Sequence, residues 1–75
     1  MLEVVVATPE RVLFEGKANS LVLPGEQGVF EMLSFHKPLI SRLISGRLLV
    51  DEQVFIIRRG VAGVNNNRAM IIVEE

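Results

Sequence analysis

Turn-forming residues recur at short intervals along the whole chain, and this spacing constrains the fold more than any other feature. They separate apolar runs rich in Val, Ile, Leu and Phe, and they stand at Thr8-Pro9-Glu10, Gly16, Pro24-Gly25, Gly28, Ser45-Gly46, Asp51-Glu52, Gly60 and Asn65-Asn66-Asn67. No long stripe of helical spacing lies between caps. Short strands at such spacing are typical of sandwiches and barrels. The sequence predicts one all-β domain over residues 1–75, a small β-sandwich of about eight to ten short strands in two sheets.

The apolar runs predict the individual strands. Leu2–Ala7 is almost continuously apolar, which indicates a strand buried on both faces. Two more strands are predicted, Arg11–Glu15 ending at Gly16, and Lys17–Leu23 ending at Pro24, because proline has no ladder donor. Two hairpins are predicted, Gly46–Val50 with Val54–Arg58 around an acidic turn, and Gly60–Val64 with Ala69–Glu74 around three asparagines.

The segment Pro38–Ile44 fits two kinds of structure. Its apolar positions 39, 40, 43 and 44 have helical spacing. Its neighbours are strands, however, and proline can open a strand. A strand is favoured here, and a single helical turn remains the alternative.

The composition narrows the classes of function. The chain has no cysteine, which excludes disulfides, thiolate metal sites and thiol nucleophiles and best fits a reducing, intracellular location. There is neither the basic leader of a signal peptide nor a run of about 20 apolar residues that could cross a bilayer. The formal net charge of −1 gives no broad attraction to nucleic acid or to an anionic membrane. Hydrophobic residues make up 49% of the chain, more than so short a chain can bury in its core. The apolar residues left outside the core are either scattered over the surface or form a patch for a partner.

The residue inventory offers no catalytic, metal or cofactor site. His36 is the only histidine, and without a nucleophile elbow or oxyanion loop its structural or interfacial hydrogen bonding is favoured over catalysis. A single histidine without cysteines does not form a zinc site. The segment Gly25–Gly28 lacks the lysine and the helix of a phosphate-binding loop, so it is interpreted as a glycine turn between strands.

Five arginines keep a nucleic-acid alternative open, with a basic face formed by Arg42, Arg47, Arg58, Arg59 and Arg68. Small barrels that bind single strands add exposed aromatic residues on which bases stack. This chain has no Trp or Tyr, and Phe14 and Phe55 lie in runs that look like core. A small nucleic-acid-binding barrel is therefore the weaker interpretation. A general protein-docking domain that uses a free sheet edge is a third.

Two segments together resemble one known family. The segment Thr8–Gly16 matches V-x-T-P-E-x-x-L-F-x-G from the threonine onwards, and Leu23–Ile40 contains a glycine loop, a strand and a His-x-Pro-Leu turn. Gly46 follows where the family closes an L-x-x-G motif. In this order the segments resemble the amino-terminal β-sandwich domain of the epsilon subunit of F-type ATP synthase.

The resemblance implies a noncatalytic rotor subunit at the foot of the central stalk. In that family the domain grips the gamma subunit and rests on the polar loops of the membrane c-ring, and it couples ion-driven rotation to ATP synthesis. By position, the implied gamma-subunit contacts are Thr8, His36 and Ser41. The implied c-ring contacts are Glu26, Gln27, Gly28, Val29, Phe30 and His36. The implied location is peripheral, at the cytoplasmic face of the bacterial inner membrane.

The chain departs from the family pattern at several places. Ser34-Phe35 replaces the usual Pro-Gly or Pro-Asn before the histidine, which affects the shape of that loop. Val29 replaces a commonly acidic residue that faces the ring, so no charge-based contact is expected there. The family's carboxy-terminal two-helix hairpin, which inhibits ATP hydrolysis, has no counterpart. A natural short form is favoured over a trimmed chain, and no inhibition by helix insertion is expected.

Overall fold

The computed structural model describes residues 1–75 and consists of nine strands without a helix. The strands are β1 (Leu2–Ala7), β2 (Val12–Ala18), β3 (Ser20–Gly25), β4 (Gly28–Leu33), β5 (Leu39–Leu43), β6 (Gly46–Val50), β7 (Gln53–Ile57), β8 (Arg59–Asn65) and β9 (Arg68–Glu74). The predicted all-β fold of about eight to ten short strands is confirmed. No segment forms a helix long and apolar enough to cross a membrane.

The strands form two layers that share one core. The broad layer has the order β2-β1-β9-β8-β5, and the narrow layer has the order β4-β3-β6-β7. The layers meet where Gly25 of β3 pairs with Leu43 of β5 and the amide of Ile44 donates to the Pro24 carbonyl over 2.8 Å. The two predicted sheets are thus one continuous hydrogen-bonded sheet that folds back on itself at this corner.

The core is entirely apolar, and every strand contributes to it. It consists of 16 buried residues, namely Leu2, Val4, Val6, Ala18, Leu21, Leu23, Met32, Leu43, Leu48, Val50, Ile57, Ala62, Val64, Ala69, Ile71 and Val73. These residues follow the two-residue period of strands, since side chains alternate between the faces of a sheet. In β9, for example, Ala69, Ile71 and Val73 point inward, while Met70 and Ile72 are exposed.

Several predicted elements are confirmed. Both predicted hairpins form, as β6 with β7 and as β8 with β9. The ambiguous segment Pro38–Ile44 contains strand β5, so the strand interpretation is correct. It pairs with β8 along its whole length, and this pairing decides against a helical turn.

Three details of the strand prediction were wrong. β1 is covered on one face only, because nothing packs on the outer face of the broad layer, and Val5 is half-buried there. The predicted strand Lys17–Leu23 is split at Asn19, whose amide donates to Asp51 Oδ1 over 3.0 Å as the chain passes between layers. β2 continues past Gly16, and β3 continues past Pro24 to Gly25. Gly25 and Gly28 close the two-residue turn as a hydrogen-bonded pair, and bonded and non-bonded pairs alternate along an antiparallel ladder. Pro24 and Val29 are therefore a non-bonded pair, so the missing N–H of proline costs no hydrogen bond between β3 and β4.

The close approach of β8 and β9 at Gly60 predicts a large effect of one methyl group. A Cβ atom at Gly60 would lie 2.5 Å from the Ile72 carbonyl oxygen, a backbone atom that has little room to move. Gly60→Ala should therefore lower the free energy of unfolding by about 2 kcal/mol in urea denaturation.

Gly63 of the same strand provides the matched control. A Cβ atom there has its nearest neighbours at 3.8 and 3.9 Å, an ordinary contact distance. Gly63→Ala should leave stability unchanged or raise it by up to about 1 kcal/mol. Equal losses in the two variants would contradict the close packing at Gly60.

Candidate functional site

The outer face of the broad layer carries a continuous set of exposed apolar side chains. We call it the apolar face and define it as Val5, Ile40, Val61, Met70 and Ile72. The strand register makes these residues neighbours, because Val61 pairs with Ile72, Val5 pairs with Met70, and both Met70 and Ile40 pair with the small Gly63 between them. Ile40 is 81% exposed, and the others are exposed or half-buried. Adjacent exposed apolar side chains on a small protein are typical of a binding surface.

Charged side chains border the apolar face at both ends of β9. Arg68 forms an ion pair with Glu3, and Arg59 forms one with Glu74, each with an N–O distance of 2.8 Å. Both pairs join residues that lie directly opposite each other on adjacent strands. The hydrogen bond from Arg59 lowers the pKa of the Glu74 carboxyl below its ordinary value. Arg42 lies opposite Val61 at the side of the face and has no ion-pair partner.

The structure does not bring the three residues with an implied gamma contact together: Thr8 and His36 lie at opposite ends of the broad layer, and Ser41 lies on the side of β5 that faces away from the apolar face. Thr8 follows the end of β1 and closes a turn, since its Oγ1 accepts the Arg11 amide over 3.1 Å. Ser41 lies in the middle of β5 and donates its hydroxyl to the Arg42 carbonyl. His36 precedes β5 at the opposite end of the layer from Thr8, and β1 between these ends spans roughly 20 Å. Its Nδ1 lies 2.7 Å from the Lys37 carbonyl oxygen, and Nε2 has no partner within the chain.

The residues with an implied c-ring contact form the turn between β3 and β4. Glu26, Gln27 and Gly28 are exposed at the turn, and Val29 beside them is 73% exposed. The turn and β5 line an open cleft of about 600 Å³, which also contains Ser41. Phe30 behaves differently from its neighbours. Its half-buried ring packs against the core and over Gly25, where a Cβ atom would lie 2.7 Å from the ring.

The loop before His36 has an unusual backbone that is held by one asparagine. Phe35 has a φ of 61° and is 80% exposed, a combination that is costly for a bulky residue. Its amide donates to Asn67 Oδ1 over 2.7 Å, and Asn67 Nδ2 donates to the Met1 carbonyl over 2.7 Å. Asn67 thus connects the chain start, the β8–β9 turn and the His36 loop. The Gly or Asn that the resemblance implies at position 35 would suit this positive φ better than phenylalanine does.

Sequence reasoning did not identify the apolar face itself. Its residues lie on four strands, and no motif connects them. A signal was present in the excess of apolar residues, and in the alternation of β9, where Met70 and Ile72 occupy outward positions. The face could be recognised only once the register of β5, β8, β9 and β1 was known.

The nucleic-acid alternative gains no support from the arrangement of charges. Arg59 and Arg68 are paired with carboxylates, while Arg42 and Arg47 lie on the outer faces of different layers. Of the four phenylalanines, only Phe35 is exposed for stacking, and the other three pack against the core. No cluster of three His, Cys, Asp or Glu side chains forms anywhere in the chain.

Comparison with known proteins agrees with the fold and the resemblance. A family model described as the β-sandwich domain of the ATP synthase delta/epsilon chain matches residues 1–75. The chain belongs to that family. This epsilon-type domain is 35% identical over 75 residues to the ATP synthase epsilon chain of Chlorobaculum tepidum, covering 93% of this chain and 85% of that protein. It is 31% identical to the epsilon chain of Leptospira interrogans serovar Lai and spans 61% of that longer protein.

Solved structures show the same fold in this epsilon-type domain. A chain in the central stalk and c-ring structure of the Tetrahymena thermophila mitochondrial ATP synthase superposes with a TM-score of 0.80 at 19% identity, over 97% of this chain and 63% of that one. A chain of the Euglena gracilis mitochondrial ATP synthase superposes with a TM-score of 0.90 at 17% identity, over 99% of this chain and 51% of that one. The predicted resemblance is confirmed.

The Asn67 contacts predict that this side chain stabilises the fold. Asn67→Gly relieves the positive φ but removes both side-chain hydrogen bonds, so it should lower the free energy of unfolding by about 2 kcal/mol. Thermal and urea denaturation would measure the loss.

Asn66 in the same turn is the control. It has a φ of 52° and is exposed, and its side chain makes no hydrogen bond within the chain. Asn66→Gly should be neutral or slightly stabilising. If Asn67→Gly were as harmless as Asn66→Gly, the proposed role of the Asn67 side chain would be wrong.

Proposed function

We propose that this chain is a noncatalytic central-stalk subunit of F-type ATP synthase. It docks the gamma subunit on the apolar face and the polar loops of the c-ring on the β3–β4 turn, and so couples ion-driven rotation of the ring to ATP synthesis. It is peripheral to the membrane, at the cytoplasmic face of a bacterial inner membrane. The observation that carries the proposal is the apolar face, a set of neighbouring exposed apolar side chains on a domain of the epsilon family.

The layout of the apolar face supports docking of a protein partner. Protein interfaces commonly combine an apolar centre with a polar rim. Here Ile40, Val61, Met70 and Ile72 form the centre, and the ion pairs at both ends of β9 form the rim. Of the proposed gamma contacts, Thr8 and His36 lie at the two ends of the broad layer. Ser41 lies on the other side of β5 from Ile40, at the cleft beside the β3–β4 turn, so it would be reached from that side. Exposed apolar area gives affinity when a partner removes it from water, while the rim favours one orientation.

The β3–β4 turn supports a second, more polar contact. Glu26 and Gln27 are exposed at its tip, and they suit hydrogen bonding to polar loops. Val29, 73% exposed, adds an uncharged contact at a position where the resemblance implies an acidic residue. Phe30 contributes by holding the turn against the core, and not by a free ring surface.

Substitution at the centre of the apolar face tests the gamma contact. Val61→Lys places an ammonium group in the middle of the surface that the partner would desolvate. Binding to purified gamma subunit, measured by calorimetry, should weaken by at least about 30-fold, which corresponds to about 2 kcal/mol. The melting temperature should change little, because Val61 is an exposed residue.

Ile56→Lys is the matched control. Ile56 is 65% exposed on the outer face of the narrow layer, so the same charge is added far from the proposed contact. Gamma binding should stay at the wild-type level. Folded wild-type protein that fails to bind the gamma subunit, or a Val61→Lys variant that binds normally, would contradict the proposal.

A further inference from the structure

β7 presents a free sheet edge that lacks the usual features opposing strand pairing. Three strands are paired on one side only, namely β2, β4 and β7. β2 carries Glu15, Gly16 and Lys17, and β4 carries Glu31. Charges at an edge discourage pairing with another chain. β7 reads Gln-Val-Phe-Ile-Ile and has no charge, glycine or proline. It is therefore the edge that is best suited to accept another strand.

The backbone groups of Val54 and Ile56 point towards this free edge. The loop between β6 and β7 has two residues and closes on the pair formed by the last residue of β6 and Gln53. Such a closing pair exchanges both hydrogen bonds, and bonded pairs then alternate along an antiparallel ladder. Gln53, Phe55 and Ile57 consequently bond to β6. Val54 and Ile56 direct their N–H and C=O groups outward, and their side chains are 51% and 65% exposed.

We propose that β7 pairs with β7 of a second copy of this chain, antiparallel and about a two-fold axis at Phe55. This register places Val54 of each copy opposite Ile56 of the other. In each of these two pairs, the outward N–H of one residue can donate to the outward C=O of the other, in both directions. Phe55 of one chain then lies opposite Phe55 of the other, on the inner side of the sheet. Apolar and aromatic cross-strand pairs stabilise antiparallel strands. An isologous two-fold contact is also the commonest form of self-association.

The charges that flank β7 select this register. Glu52 directly precedes the strand and Arg58 directly follows it, and neither forms an ion pair within the chain. With the axis at Phe55, Glu52 of each copy lies opposite Arg58 of the other. If the axis is moved to Val54 or to Ile56, Glu52 no longer lies opposite Arg58 of the other copy. The sequence around β7 is thus complementary to itself in one register only.

The proposed contact is separate from the apolar face. β7 is the end strand of the narrow layer, whereas the apolar face lies on the outer surface of the broad layer. A dimer through β7 therefore leaves Val61 and its neighbours uncovered. The Val61→Lys and Ile56→Lys variants exchange roles as test and control between the two proposals.

Sedimentation equilibrium of the purified chain, over roughly 10 µM to 1 mM, tests the dimer. We expect a monomer–dimer equilibrium with a dissociation constant on the order of 100 µM, because one added strand pair is a small interface. Ile56→Lys should abolish the dimer, and Val61→Lys should leave it unchanged. Glu52→Arg or Arg58→Glu alone creates two like-charge pairs and should weaken the dimer by about tenfold. The double variant Glu52→Arg/Arg58→Glu restores opposite charges and should return to near wild-type affinity.

Three results would overturn the proposal. The first is a wild-type chain that stays monomeric at the highest concentration. The second is a dimer that persists in Ile56→Lys, because it would use another surface. The third is a double charge variant no stronger than the single ones, because the register would then be wrong. If the wild-type chain is monomeric and Ile56→Lys loses gamma-subunit binding, the β7 edge would instead pair with a strand of the stalk partner.

Discussion

The structure depends on one thin apolar core that both layers share. Its 16 residues come from all nine strands, and no polar side chain is buried with them. In so short a chain the inward positions of the strands are the only source of this burial. The layers are closed on one side by the corner at Gly25 and Leu43. Apolar side chains on the outer faces, such as Ile40 and Val61, lie outside this core, so the fold does not need them.

Much of this architecture could be predicted from local chemistry. Turn residues and two-residue alternation identified both hairpins, and the strand neighbours of Pro38–Ile44 correctly favoured a strand there. The break at Asn19 could not be predicted, because its cause is the Asp51 carboxylate, 32 residues away in the sequence. The burial of β1 was overestimated for a related reason. A continuous apolar run does not reveal whether a second layer covers its outer side.

The candidate site was predictable in part. The resemblance indicated Thr8, His36, Ser41 and the β3–β4 turn; the first three are half-buried and the tip of the turn is exposed, and their contacts stay predictions. The apolar face depends on the parallel pairing of β1 with β9, which joins the two ends of the chain. It depends also on the register of β5 with β8. Such long-range pairing leaves no motif in the sequence. The apolar face and the β7 edge lie on different layers, so the two proposed contacts, with a stalk partner and with a second copy, would use separate surfaces.

Thiol labelling of single-cysteine variants would test the central claim, that the apolar face is the docking surface, most directly. The chain has no native cysteine, so Val61→Cys and Ile72→Cys report on the face, and Val54→Cys reports on the opposite layer. All three should react readily in the free chain, because these positions are exposed. In the complex with the gamma subunit, the account predicts slow labelling at positions 61 and 72 and unchanged labelling at position 54. Protection at position 54, with positions 61 and 72 still reactive, would contradict it.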